Sequence, residues 1–191
     1  MRIVTGRLRG RVIPISAKRL GDVKVTASRL KEAVFSRLGG HLDGLHFLDL
    51  CAGSGQMALE AYSRGAEVVA VEPDTRRRKA LIQLVSEWKV DGGLQIVGRR
   101  GGAYLRALDP QTPPFDVVYV DPPYRSGHKD DNLCSALVAS VAAAGILADG
   151  GLLLAQHPRS VELTDSVGRL HKTDVRSYGT TNLSQFEAAS P

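Results

Sequence analysis

Cysteine is scarce in this chain. Cys51 and Cys134 are its only two, which excludes the dense disulfide framework of a small secreted domain. Metal-ligand spacing is missing as well: the five histidines, at 41, 46, 128, 157 and 171, are scattered and no Cys/His cluster accompanies them, so no metal centre is expected. Long apolar runs are absent. The longest, Ala136 to Ala148, is interrupted by Ser140 and Gly145 and falls short of the ~20 residues that span a bilayer. The N-terminus is too rich in arginine and too poor in apolar residues for a signal peptide, and a cytoplasmic, monomeric protein with no membrane partner is the expectation. Acidic residues are nearly absent from the first 31 positions, where Asp22 stands against Arg2, Arg7, Arg9, Arg11, Lys18, Arg19, Lys24, Arg29 and Lys31. The formal net charge of +5 is therefore concentrated at one end. That asymmetry points to a polyanionic partner, nucleic acid before membrane.

What is present suits a single α/β domain with an appendage. Hydrophobic residues make up 43% and charged residues 24%, ordinary for a globular chain. Around Gly6-Arg7-Leu8-Arg9-Gly10 the segments 2–5 and 11–15 predict a basic β-hairpin, followed by a polar linker. Residues 1–25 thus read as an arm and linker, and residues 26–191 as the main domain. Arg2, Arg7, Arg9, Arg11 and Lys24 are its candidate RNA-binding residues; the alternative is a solvated edge hairpin whose arginines protect it from pairing. A helix is predicted from Thr26 or Ser28 to Leu38, with Leu30, Ala33, Val34 and Leu38 on the buried face and Arg29, Lys31 and Glu32 turned elsewhere. Beyond it strands (45–50, 67–72, 94–98, 115–121, 151–156) alternate with helices (55–64, 74–90, 100–107, 131–145). This predicts a doubly wound, Rossmann-like, mostly parallel sheet. The helix at 74–90 would bury Ala80, Leu81, Leu84, Val85 and Trp88 and solvate Arg76 to Lys79. Segments 169–177 and 181–187, turning at Gly179, predict a closing hairpin that adds an antiparallel C-terminal strand.

Two motifs carry chemistry. The apolar strand 115–120 runs straight into Asp121-Pro122-Pro123-Tyr124. Neither proline can donate to a sheet ladder, so the chain leaves the sheet there. A carboxylate, a proline carbonyl and an aromatic face at the carboxyl edge of a sheet suit a planar base bearing an exocyclic amino group. The second motif is the loop Asp49-Leu50-Cys51-Ala52-Gly53-Ser54-Gly55 after the first strand. Its glycines allow close backbone approach, and the following helix points its amides at a ligand. Glu72, with Pro73 beside it, ends the next strand, where an acid accepts hydrogen bonds from ribose hydroxyls. A nicotinamide cofactor would fit a glycine loop and a downstream acid. Asp49 argues against it, because an acid before the loop repels a pyrophosphate and favours an ammonium. S-adenosylmethionine has a ribose, an ammonium and a sulfonium but no phosphate. Cys51 reads as a small residue packing the loop.

Taken together, these motifs lay out a class I amino-methyltransferase. The chain resembles the bacterial 16S rRNA guanine 2-amino methyltransferases of the RsmD type. The matching stretches are Arg2 to Gly6 with Arg9-Gly10-Arg11, and Thr26 with Arg29 to Phe35. They continue through Asp49 to Ala61, Asp121 to Tyr124, and Tyr178-Gly179 with Thr181, Leu183 and Ser184. The resemblance implies an S-adenosylmethionine-dependent enzyme acting on 16S rRNA or the small ribosomal subunit, at the 2-amino group of guanine 966. It also implies that Thr26 and Arg29 lie near the methionine end of the cofactor. Asp121 and the Pro122 carbonyl would accept the amino N–H bonds, and Tyr124 would stack on the base. The chain departs from the family at Lys24-Val25-Thr26, where Arg-Pro-Thr is usual, and at Ser28, where Asp is usual. It departs again at Gly98-Arg99-Arg100-Gly101, where an Asp or Asn is expected to meet the adenine amino group; arginine cannot accept a hydrogen bond. Two other readings stand beside this one: a DNA adenine or cytosine amino-methyltransferase, and a non-catalytic RNA-binding protein on a methyltransferase fold.

Overall fold

The computed structural model describes residues 1–14, 28–123 and 133–190. The chain divides into two units, Met1–Arg100 and Gly101–Pro191. In the first, helix α1 (Ser28–Arg37) precedes β1 (His46–Asp49), α2 (Gln56–Ser63), β2 (Glu67–Val71), α3 (Thr75–Glu87) and β3 (Leu94–Val97). The strand order is β3-β2-β1, all parallel, with His46 opposite Glu67 and Val68 opposite Leu94. Parallel neighbours need crossover helices, and α2 and α3 supply them. Phe47 and Leu48 of β1 are fully buried, as expected of a strand covered on both faces.

The second unit runs α4 (Gly101–Arg106), β4 (Phe115–Val120), α5 (Leu133–Ala144), β5 (Leu147–Pro158), β6 (Ser166–Val167), β7 (Leu170–Tyr178) and β8 (Thr181–Ala188). Its order is β4-β5-β8-β7-β6, with β4 and β5 parallel and the remaining pairs antiparallel. The expected α/β class, mostly parallel with an antiparallel C-terminal addition, is the one observed. Its core lies along β4 and β5, where Val118, Tyr119, Val120, Leu153, Leu154 and Ala155 are all buried.

Four details differ from the sequence reading. β5 begins at Leu147, before the Asp149-Gly150-Gly151 stretch that reads as a turn. Phe115 pairs with Leu147, and the register shift that follows absorbs the extra residues, with Gly150 at φ +71°. A bulge lets a strand continue through turn-like residues. The N-terminal segment makes one isolated antiparallel bridge, Arg2 to Val12, and no named strand. Ile3, Gly10 and Ile13 N–H bond across the arm to the Arg11, Ile3 and Met1 carbonyls, while Val4, Thr5, Arg7 and Leu8 N–H go to α2; Ile3, Leu8 and Ile13 are buried. Lys31 does not turn to solvent: it is 1% exposed because its ammonium meets a buried carboxylate, Glu60. On α3 only Leu81 and Leu84 of the expected face are fully buried; Ala80, Val85 and Trp88 are half-buried.

Candidate active site

In the first unit β1 delivers Asp49 to the foot of the glycine loop. Asp49 is 1% exposed, and its Oδ2 accepts a hydrogen bond from the Ala58 N–H of α2 at 3.2 Å. The loop closes as a tight turn, with Gly55 N–H donating to the Ala52 carbonyl at 2.7 Å. Gly53 and Gly55 both have positive φ, +55° and +79°. At Gly55 the need for glycine is twofold, because a Cβ there would also stand 2.4 Å from Leu81 Cδ1. The loop therefore sits directly on α3.

Glu72, just past β2, is 3% exposed. One carboxylate oxygen accepts from Gly53 N–H at 2.8 Å and the other from Asp74 N–H at 2.7 Å. Burial pushes the pKa of Glu72 up, against the lowering effect of these bonds and of Arg77. Asp74 in turn caps α3, accepting from Arg76 and Arg77 N–H at 2.9 and 3.0 Å. Those bonds hold its carboxyl below the usual range, as a helix N-terminus does for an anion. Ser54 is buried, Ala52 is buried, Cys51 is half-buried and Pro73 is exposed. Buried Gln56, the first residue of α2, gives its amide N–H to Ser54 Oγ at 3.2 Å. Its Oε1 has no hydrogen-bond partner among the described residues. A glycine loop with one acid at its foot and another at its rim suits hydroxyls and an ammonium, and disfavours a phosphate.

In the second unit β4 ends at Val120; Asp121 is half-buried, Pro122 buried and Pro123 exposed. Behind them Tyr119 Oη donates to Gln156 Oε1 at 2.7 Å, both residues buried. The Cys134 thiol faces the Gln156 carbonyl at 3.7 Å. Burial, reinforced by the Asp121 carboxylate, pushes that thiol up to about 12, so Cys134 is not a nucleophile near neutral pH. His157 on β5 bridges to β8 through Ser184 Oγ at 2.8 Å, and burial holds its pKa below the ordinary value.

Among the sequence candidates, Asp49, Cys51 to Gly55, Glu72 and Pro73 come together in one loop cluster of the first unit. Arg29 is exposed on α1. Thr26, Lys24 and Tyr124 lie outside the described residues. Arg2, Arg7, Arg9 and Arg11 are all exposed. Arg7 lies over the Tyr62 ring at 3.8 Å and Arg11 over Trp88 at 5.6 Å. Arg99 and Arg100 are exposed.

The family described as conserved hypothetical protein 95 matches residues 1–187. The chain belongs to that family. YlbH of Bacillus subtilis, provisionally named an rRNA methyltransferase, is 28% identical to this family member over 188 residues, 98% of each chain. The ribosomal RNA small subunit methyltransferase D of Escherichia coli (strain K12) is 30% identical over 134 residues, 70% of this chain and 65% of its own length. The solved structure of yhhF from Escherichia coli, provisionally named a methyltransferase, is 26% identical with a TM-score of 0.82, covering 100% of this chain and 99% of that one. These matches agree with the RsmD-type methyltransferase resemblance that the motifs carry, and with the Rossmann-like fold.

Sequence reading missed the polar cluster behind the loop in this family member. Glu60 of α2 is 0% exposed and ion-paired to Lys31 at 2.7 Å and Arg64 at 3.0 Å. The i, i+4 spacing of Glu60 and Arg64 was a visible signal. The Lys31 partnership was not, since only tertiary packing brings α1 to α2.

Proposed function

We propose that this protein transfers a methyl group from S-adenosylmethionine to the 2-amino group of a guanine in small-subunit rRNA. Family membership makes it a methyltransferase, and relatives named for small-subunit rRNA support the substrate class. The observation that carries the reading is the chemistry of the glycine loop, with a buried acid at its foot, Asp49, and another at its rim, Glu72. Glu72, which spends one lone pair per oxygen on the loop, keeps acceptor capacity for ribose hydroxyls. Asp49, Ser54 and the unpartnered Gln56 Oε1 offer acceptors for an ammonium. When bound, S-adenosylmethionine supplies a methyl group made electrophilic by its sulfonium.

The chain's own residues do the rest. The amino lone pair of guanine is delocalised into the ring, so the nitrogen must be rehybridised to act. Asp121 and the Pro122 carbonyl accept the two N–H bonds, aim the lone pair, and stabilise the positive charge that develops on nitrogen. Tyr124 stacks on a base swung out from its neighbours. The exposed arginines of the arm hold rRNA phosphates. Purified protein given isotopically labelled S-adenosylmethionine and either naked 16S rRNA, small subunits or duplex DNA tests this. The expected product after nuclease digestion is N2-methylguanosine from one of the two RNA substrates. Label on DNA, on adenine or cytosine, or on nothing overturns the proposal.

A further inference from the structure

Besides the bonds across its own turn, the basic arm gives four backbone N–H groups, those of Val4, Thr5, Arg7 and Leu8, to α2. Val4 and Thr5 N–H donate to the Glu60 carboxylate at 2.9 and 3.1 Å. Lys31 Nζ donates to the same carboxylate at 2.7 Å and to the Arg2 carbonyl at 2.6 Å. Arg64 Nε adds a fourth donor to Glu60 at 3.0 Å. Ser63 continues the contact: its hydroxyl donates to the Thr5 carbonyl and accepts from Leu8 N–H at 2.9 Å, and its carbonyl accepts from Arg7 N–H at 2.8 Å. Gly6, at φ +83°, lies so close that a Cβ would meet the Ser63 carbonyl oxygen at 1.6 Å. Arg7 Nε bonds the Tyr62 carbonyl at 3.0 Å while its guanidinium covers the Tyr62 ring.

A buried carboxylate with two cations gains little stability over apolar residues of the same volume. What it supplies is one fixed geometry. Helix α2 is eight residues long, about 12 Å at 1.5 Å per residue, and its first residue follows Gly55. The arm is thus attached along the second half of this short helix, from Glu60 to Ser63, and the glycine loop to its first residue. We infer that Glu60, with Ser63 and Gly6, positions the arm's arginines for RNA at a set distance from the cofactor loop. This role rests on the proposed function. Pinning matters because a free basic arm would lose conformational entropy on meeting RNA, and a pre-ordered one does not.

Three substitutions test it: Glu60→Gln, Ser63→Ala and Gly6→Ala. Tryptic cleavage after Arg7, Arg9 and Arg11 reads release of the arm without any reaction. Steady-state kinetics with small-subunit rRNA and calorimetry with S-adenosylmethionine read the consequence. Faster cleavage is expected in all three variants. The KM for rRNA should rise by about tenfold, as for a lost set of anchored contacts, with kcat and cofactor affinity held within about twofold. Glu60→Gln leaves Lys31 without its buried counter-ion, so Ser63→Ala, which keeps the ion pairs intact, decides if the first variant fails to fold. An unchanged rRNA KM with the arm released overturns the inference, as does an arm that stays protease-resistant in both Ser63→Ala and Gly6→Ala. A fall in cofactor affinity or kcat in step with KM also overturns it, by reducing the cluster to a general brace. If the wild-type protein methylates no rRNA, the proposed function fails instead, and the cleavage assay still reports on the pinning.

Discussion

Single residues divide this molecule into groups that meet ligands and groups that hold them in place. The proposed function puts Asp121 in the first. Asp121→Ala should lower methyl transfer by about 100- to 1,000-fold, the range for losing one group that stabilises developing charge. Calorimetry should find S-adenosylmethionine binding within about twofold of wild type; near-normal turnover would remove Asp121 from the chemistry. In the proposed function Glu72 does both jobs: its carboxylate organises the loop through Gly53 N–H and would accept from ribose hydroxyls. Glu72→Ala should therefore weaken cofactor binding by roughly 10- to 100-fold, matching ~1.5–3 kcal/mol for hydrogen bonds to a charged group. Titration calorimetry measures this directly, and unaltered affinity would assign Glu72 to the loop alone. The glycine turn and the strand stop were legible because positive φ and a missing proline amide act locally. Lys31 was not: a lysine on a short amphipathic helix reads as solvated until the burying partner is known.

Among the elements, α3 carries the loop. Its cap, Asp74, satisfies two amides at the helix start, and Leu81 packs where any side chain at 55 would go. Asp74→Ala should cost about 1 kcal/mol, the usual worth of a lost N-cap. For a chain of this size that lowers the midpoint of thermal unfolding by roughly 2–4 °C. Differential scanning calorimetry checks the shift, and no change would mean that solvent caps the helix equally well. Helix and strand positions followed from apolar spacing, and their observed ends differ from the expected ones mostly by one or two residues. β5 is the exception, since the pairing of Phe115 with Leu147 extends it through residues that locally favour a turn. The arm is the other. Alternating arginine and apolar residues read as paired strands; the two sides do bond, Ile3 N–H to Arg11 and Ile13 N–H to Met1, but the pairing is short because Val4, Thr5, Arg7 and Leu8 give their N–H groups to α2.

For the molecule as a whole, acid titration should report its buried groups in order. Burial lowers the His157 pKa in the folded state, so folding favours the neutral ring. Its contribution is complete above the unfolded value of about 6.5 and is lost as pH falls below it. Burial opposes ionisation of Glu60, but the hydrogen bonds from Lys31 and Val4 and the charges of Lys31 and Arg64 prevail and lower its pKa. That contribution is present above about 4.5 and lost on further acidification. Glu72, raised by burial, has the opposite sign and partly offsets the loss near its own titration. Stability measured by urea unfolding should therefore decline in two stages, below about pH 6.5 and again below about pH 4.5. His157→Gln should remove the first stage; a first stage that persists in that variant would place its origin elsewhere.

Order along the chain was enough to determine the alternation of strands and helices, the glycine turn after β1 and the abrupt stop after β4. Each depends on local rules: periodicity, positive φ, and the missing amide of proline. Tertiary structure alone decided that Glu60 would gather donors from Val4, Thr5, Lys31 and Arg64, and that Tyr62 and Trp88 would become shelves for arginines of the arm. A buried charge is tolerable only where distant residues converge to satisfy it, and convergence of that kind leaves no period in a sequence.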